Sequence, residues 1–600
     1  MRSYGYSEKG QHGKVSDLKL WRRIMHYSKD HLFFLGIAVV LSLAISGSLL
    51  ALPKLIQYAI DRYMAPATMV AMDVRLAGLQ KVAVWYGVLV AGIFGAGFIQ
   101  VVLLEWVGQS VMDKLRQQLF SHVLALDMLF FHEQKIGRLV TRLTNDIQNM
   151  YEMFTSVMVT MCNDLFKLMG IFCLLFYMNT RLALWLTTFV PLAFLVTYFF
   201  SKIAREKFRQ IRSQLAKLNG FLAEALEAMS IIQVFNRQKK SGEHFFHQTQ
   251  EYLRRNVSQI KVFAFFTPLT DLMSASAVAF ILWYGGGEHV QGRLTLGELV
   301  AFLAYMRLFF QPLRELAQKY SIVQSAMASA ERIFQLLDTR PQLSPSQQAN
   351  KTVITEGAVV FDHVDFSYDP EEPILHDICL SIAAGETVAL VGSTGAGKTT
   401  LIHLLTRFYD PDSGRITIDG MDVRDFSLTA LRTQVGIIMQ DIYLLPDTVL
   451  ANIILDKDYD EKKLIRILED TQLQSFVDQL PKGLETIIGE DIKALSVGEK
   501  QLLSFVRSMY SDPAILVLDE ATSSIDVESE RLLERAVAEG FKGRTSIIIA
   551  HRLSTIRRAD RIIVLDQGQI VEQGTHAQLM AKGARYKAFV ELDLLKKRTV

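Results

Sequence analysis

Apolar and polar positions divide this chain into two halves of different character. In the first half the apolar residues run in long uncharged stretches, and in the second they form short runs broken by polar turns. Residues 32–52, 82–104 and 182–201 contain no charged side chain. Each is long enough to cross a hydrocarbon core of about 30 Å at a rise of about 1.5 Å per residue. Residues 157–178 are also of spanning length but carry Asp164 and Lys167. A fifth span is expected within 262–287, including Asp271, and a sixth around 296–313, including Glu298 and Arg307. Six spans are expected. Ahead of them, Leu18, Trp21 and Met25 recur at helical spacing with Lys19, Arg22 and Arg23 between, the pattern of a short amphipathic helix on a membrane surface. The charged residues within 1–31 leave no cleavable signal peptide visible.

Charge placement sets the expected orientation. The stretch between spans four and five carries Lys202, Arg205, Lys207, Arg209, Arg212, Lys217, Arg237, Lys239, Lys240, Arg254 and Arg255. The one between spans two and three carries Lys114, Arg116, Lys135, Arg138 and Arg142. Basic loops stay on the cytoplasmic side, so both stretches are expected there, as helical continuations of the spans. An even number of spans then places both termini in the cytoplasm as well. Ionisable residues inside a membrane are costly and commonly line a cavity. For Asp164, Lys167, Asp271 and Arg307 a substrate pathway is one reading. The other is that Asp164 and Lys167 neutralise each other at i, i+3 while Asp271 and Arg307 sit near an interface. The polar stretch 337–357, with Pro341 and Pro345, reads as a linker.

The second half reads as a soluble α/β domain with a phosphate site. Gly392, Ser393, Thr394, Gly395, Ala396, Gly397, Lys398 and Thr399 follow the apolar run 387–391 and precede the helical pattern 401–405. Strand, glycine-rich turn and helix are what a P-loop requires. Its backbone N–H groups and helix N-terminus cradle phosphate, Lys398 reaches the β- and γ-phosphates, and the Thr399 hydroxyl ligates magnesium. Thr400 completes the expected contacts. The run 514–518 ends in Asp519 and Glu520, a buried-strand pattern placing one carboxylate for magnesium and one as general base to water. The net charge of +2 says nothing about partners. Cys162, Cys173 and Cys379 show no ligand spacing and are expected to be buried apolar residues.

Together with Tyr368, Gln440, Leu495-Ser496-Val497-Gly498-Glu499, Ser523-Ser524-Ile525-Asp526 and His551, these motifs fall in the order and spacing of ABC transporter ATPase domains. The chain resembles an exporter-type half-transporter over nearly its whole length. The segment from Gly137 to Asp146 is similar to the exporters' first coupling region. The resemblance implies a six-helix transmembrane domain followed by an α/β P-loop ATPase domain. The expected divisions are an N-terminal tail and elbow helix (1–31), membrane domain (32–336), linker (337–357) and nucleotide domain (358–600). It further implies ATP and Mg2+ as cofactors. Tyr368 would stack on adenine, Gln440 and Asp519 would join Thr399 at magnesium, and His551 would contact the γ-phosphate. Glu520, His551 and Lys398 would be catalytic, and Asp526 would lie in a loop crossing to the other subunit. Ser496 and Gly498 would face the ATP held by that subunit.

The departure lies in the signature loop, where the family has Leu-Ser-Gly-Gly-Gln. Val497 stiffens a backbone that glycine would free, and Glu499 puts a carboxylate where an amide is usual. Just upstream, Ile492 stands where exporters usually carry glycine. This pattern is similar to one chain of the asymmetric heterodimeric bacterial exporters, whose partner carries the intact signature. The expected function is therefore export of hydrophobic or amphipathic, multidrug-type molecules across the inner (cytoplasmic) membrane, with a lipid bilayer and a second half-transporter as partners and no nucleic acid. A lipid or lipopolysaccharide flippase, a homodimeric exporter, an importer and an ATP-gated channel or regulator are the alternatives. The uncharged runs argue against a soluble ATPase acting on nucleic acid.

Overall fold

The computed structural model describes residues 18–65, 71–343, 353–369, 371–439, 442–489, 495–519, 527–549 and 553–598. The described chain forms two compact units. One is helical and takes in the residues up to Leu124 together with Ile136–Thr339; the other comprises Ala125–Lys135 and the chain from Arg340 onward.

Among the described residues of the helical unit, four helical runs are long and apolar enough to cross a membrane: Lys29–Met64, Met72–Leu124, Thr180–Glu227 and Gln238–Val290. They contain the expected first, second, fourth and fifth spans. The third and sixth expected spans are helical too: Val159–Met178 covers all but the first two residues of the third, and the sixth lies within Leu296–Asp338. At about 1.5 Å per residue, Met72–Leu124 is roughly 80 Å long, far more than a hydrocarbon core needs. Its two ends differ accordingly. Trp85, Phe94 and Phe98 are exposed, as lipid contact requires, whereas Val111, Met112, Leu115 and Leu119 are buried at helical spacing against protein.

The ionisable residues of this unit have specific partners. Asp164 is buried and accepts a hydrogen bond from Lys319 Nζ at 2.6 Å, with Lys167 3.9 Å away. Mutual neutralisation of Asp164 and Lys167 is thus only part of the arrangement, because Lys319 is the closer cation. Asp271 and Arg307 are exposed. Glu298 belongs to a helix end: its carboxylate accepts from Thr295 N–H while the Thr295 hydroxyl accepts from Glu298 N–H, a capping box. Asp61 accepts from Gly297 N–H and from the Thr295 hydroxyl, both at 2.8 Å, and so ties this helix start to the first span.

In the helix Leu18–Tyr27 the buried positions are Leu20 and Ile24, while Leu18 is 82% exposed, an exposure compatible with contact to a membrane surface. One expectation needs correction. Cys173 and Cys379 are exposed rather than buried; Cys379 lies on an outward-facing strand position beside the surface pair His363–Asp377. Ala125–Lys135, just ahead of the segment that resembles the exporters' first coupling region, belongs to the nucleotide unit. Asp146, at the end of that resembling segment, is buried in the helical unit, accepting from Arg332 Nε at 3.0 Å and the Ser329 hydroxyl at 2.8 Å.

The nucleotide unit contains two sheets. Strands β1 (Val359–Asp369), β2 (Glu372–Ile382), β4 (Ser413–Ile418) and β5 (Met421–Asp422) form an antiparallel sheet in the order β2-β1-β4-β5. The larger sheet runs β10-β9-β3-β8-β7-β6, built from β3 (Thr387–Gly392), β6 (Val435–Ile438), β7 (Ile515–Asp519), β8 (Thr545–Ile549), β9 (Arg561–Asp566) and β10 (Gln569–Gly574). Its pairings are parallel except for β10 against β9. Parallel strands covered on both faces are predominantly apolar, and these are, with the polar residues Thr387, Thr545 and Ser546 at the strand starts. Val388, Leu390, Ile515, Val517, Ile547 and Ile549 pack into the core shared with the antiparallel sheet. Ala389, Val391, Leu516, Leu518 and Ile548 pack with Leu502, Leu503, Val506 and Val537 of the helices Val497–Tyr510 and Val527–Gly540 on the other face. This two-sided burial fixes which way the strand ends point, and β3 and β7 deliver their C-terminal ends to one edge of the parallel sheet.

Candidate functional site

In an open α/β sheet, ligands bind beyond the C-terminal strand ends. At the end of β3 the chain turns through Ser393, Thr394 and Gly395, all exposed, into the helix Lys398–Leu405. Two glycines make that turn possible. Gly397 has φ +98° and a Cβ there would lie 2.5 Å from Leu375 Cδ2, while a Cβ on Gly392 would lie 2.3 Å from the Leu565 carbonyl oxygen. The turn folds around its own lysine: Lys398 Nζ donates to the carbonyls of Gly392 and Ser393 at 2.8 and 2.9 Å. Burial lowers the Lys398 pKa, and the nearby Asp519 carboxylate, at the end of β7, opposes that shift.

These features fit a nucleotide phosphate. The first-turn N–H groups of a helix have no intrahelical acceptor, and here they face the same opening as a buried ammonium. Ala396, Gly397 and Thr400 are buried supports, whereas Thr399 is exposed at the mouth. Of the three magnesium ligands expected, Thr399 and Asp519 are described, and a hard divalent cation between a hydroxyl and a carboxylate is chemically apt. Gln440, Glu520, Asp526 and His551 lie outside the described residues, as does Ile492.

Tyr368, near the end of β1, lies beside the loop. Its hydroxyl oxygen is 2.9 Å from His403 Nδ1 and 3.4 Å from Thr400 Oγ1, and burial raises its pKa. Its ring packs edge-on against Phe366 and Tyr409. His403 and Tyr409 carried no signal in the sequence, because nothing in linear spacing ties them to Tyr368.

The signature loop forms a separate feature. Ser496 caps the helix Val497–Tyr510, its hydroxyl accepting from Glu499 N–H at 3.2 Å, while the Glu499 carboxylate accepts from Ser496 N–H at 2.6 Å. Gly498 is buried and Val497 is about half exposed. The glutamate therefore folds back on its own helix start.

A helical membrane unit joined to a P-loop unit with this sheet order defines an ATP-driven membrane transporter. Residues 35–313 match the family described as ABC transporter transmembrane region, and residues 375–523 the family described as ABC transporter. The chain is 33% identical to an ATP-dependent lipid A-core flippase of Alcanivorax borkumensis, over 96% of this chain and 97% of that one. It is 36% identical to a fatty acid ABC transporter ATP-binding/permease protein of Mycobacterium bovis, over 81% and 76%. The structure of a bacterial Atm1-family ABC exporter with ATP bound superposes with a TM-score of 0.78 at 26% identity, covering 96% of this chain and 99% of that one. The chain belongs to the ABC exporter family, and it couples ATP hydrolysis to transport across a membrane.

Proposed function

We propose that this chain is one half of a heterodimeric exporter of hydrophobic or lipid-like molecules, with one fast and one slow ATP site. Six spans would place both termini and the nucleotide unit on the cytoplasmic side of the inner membrane. Two ATP molecules would be held between two nucleotide domains. Lys398 and the first-turn amides of its helix balance phosphate charge, and Thr399, Asp519 and Gln440 would hold Mg2+, which neutralises the phosphate oxygens. Glu520 would take a proton from water as the water oxygen bonds to the γ-phosphorus and the bond to ADP breaks; His551 would orient that phosphate.

The observation that carries the asymmetry is the Ser496–Glu499 capping box. A helix start offers partial positive charge to an anion. Here a carboxylate of the same helix already occupies it, and a second anion, the partner's γ-phosphate, would meet repulsion. The acyl-chain cargoes named for the two relatives favour a lipid-like substrate over a drug, so a flippase is the second reading. Purification from native membrane at endogenous expression tests the assembly. The expected result is a second half-transporter at equal stoichiometry, with an intact Leu-Ser-Gly-Gly-Gln and a replaced catalytic glutamate. Recovery of this chain alone as a stable, ATP-hydrolysing dimer would overturn the heterodimer. Nanodisc assays separate the cargo readings: acyl lipids, rather than amphipathic dyes, are expected to stimulate hydrolysis.

A further inference from the structure

A cluster of two imidazoles and two phenols lies next to the phosphate loop, and the nucleotide chemistry above makes no use of most of it. Tyr368 meets His403 through its hydroxyl at 2.9 Å and Tyr409 through its ring, with centroids 5.0 Å apart and planes at 82°. Tyr409 is buried, and its hydroxyl bonds to His132 Nδ1 with the two rings nearly parallel, 9° between their planes and centroids 6.1 Å apart. His403 packs further against Phe408, whose ring holds the Arg432 guanidinium at 4.9 Å. Burial, reinforced by the neighbouring His132, lowers the His403 pKa. The imidazole is thereby kept in its neutral form, with one nitrogen available to the Tyr368 hydroxyl.

We propose that His403 is a positioning residue for adenine recognition. Its hydrogen bond fixes the Tyr368 ring against which the base stacks, and Tyr409 shares that support with His132 of the segment Ala125–Lys135. The inference rests on the reading of Tyr368 as the base platform. Stacking is sensitive to the plane of the ring, and a free phenol on a β-strand can rotate. The Tyr368 ring is held through its hydroxyl and through edge-to-face contacts with Phe366 and Tyr409. An adenine platform fixed in this way shares its support with a side chain that arrives from the membrane half of the sequence, so base binding and the placement of that segment become energetically linked.

The test measures the ATP KM and kcat of the full chain, with any native partner, in lipid nanodiscs. His403→Leu keeps the packing and removes the hydrogen bond; it is expected to raise KM about three- to tenfold with kcat within about twofold. His403→Asn, whose amide can stand at the Nδ1 position, is expected to restore KM to within about twofold of the parent. A merely structural role would lower kcat and KM behaviour together and would not be rescued by asparagine. Tyr368→Ala separates the two readings. If it leaves KM unchanged, Tyr368 is no platform and both fall. If it raises KM while His403→Leu does not, the positioning role alone falls. His132→Ala and His403→Leu are expected to be non-additive in KM by at least about threefold; strict additivity would overturn the link to the 125–135 segment.

Discussion

Lys398 is held by two carbonyls of the loop it serves, so its charge is placed before any nucleotide arrives. Lys398→Ala is expected to lower ATP hydrolysis at least about 100-fold, measured as phosphate release, with little change in melting temperature. Asp419 shows a different use of charge. Its carboxylate accepts from the backbone N–H groups of Thr355, Glu356 and Ala358 at 2.8–3.0 Å, pinning the start of the nucleotide unit to the β4–β5 turn. Burial raises its pKa, but the backbone donors outweigh that and hold it below the ordinary carboxylate value. A depressed folded-state pKa means the stabilisation is complete above the unfolded value of about 4 and is lost as pH falls through the lower folded value. Asp419→Ala is expected to cost about 1–2 kcal/mol at pH 7, read by denaturant unfolding, and the difference from the parent should vanish in strong acid. The P-loop and the Asp519 strand were legible in sequence because a contiguous motif makes each. His403, Tyr409 and Lys319 were not, because their partners lie on distant elements and no local pattern records that proximity.

At the scale of elements, period and length announced the helices, but their ends depended on contacts the sequence does not order. Four expected spans matched uncharged or nearly uncharged runs, since solvation in lipid demands that composition. The helix Leu296–Asp338 was harder to delimit because Glu298 looked like a charge within a span, whereas it caps the helix start. Gly297 beside it allows the first span to approach: a Cβ there would lie 2.5 Å from the Gln57 carbonyl oxygen and 2.7 Å from Asp61 Cγ. Gly297→Ala is expected to destabilise the membrane unit by about 1–3 kcal/mol, seen as a lower melting temperature in detergent. Lys319→Met strands the buried Asp164 with only the more distant Lys167 and is expected to cost about 3–5 kcal/mol. Adding Asp164→Asn should recover much of that loss.

For the whole molecule, the sequence conveyed the order of domains and the split between an intact phosphate loop and an altered signature. The fold-back of Glu499 was legible too, since Ser496 and Glu499 have the Ser-x-x-Glu spacing of a capping box. Val497→Gly with Glu499→Gln is expected to raise the complex's ATP turnover severalfold, measured at saturating ATP, by freeing the helix start for the partner's phosphate. Unchanged turnover would show that the slow site is limited elsewhere.

The nucleotide unit is also discontinuous in a way that bears on biosynthesis. Ala125–Lys135 emerges from the ribosome long before Arg340, yet Leu129 packs into the same core as β1 and the phosphate-loop helix. At about 5–20 residues per second, that segment waits roughly 10–40 seconds for Arg340 to be made, and longer for the body it completes. During that interval it has no core to join, so chains stalled near residue 339 are expected to be cleaved by protease within 125–135, while finished chains resist. The last part of this transporter to mature is therefore one of the earlier parts to be made.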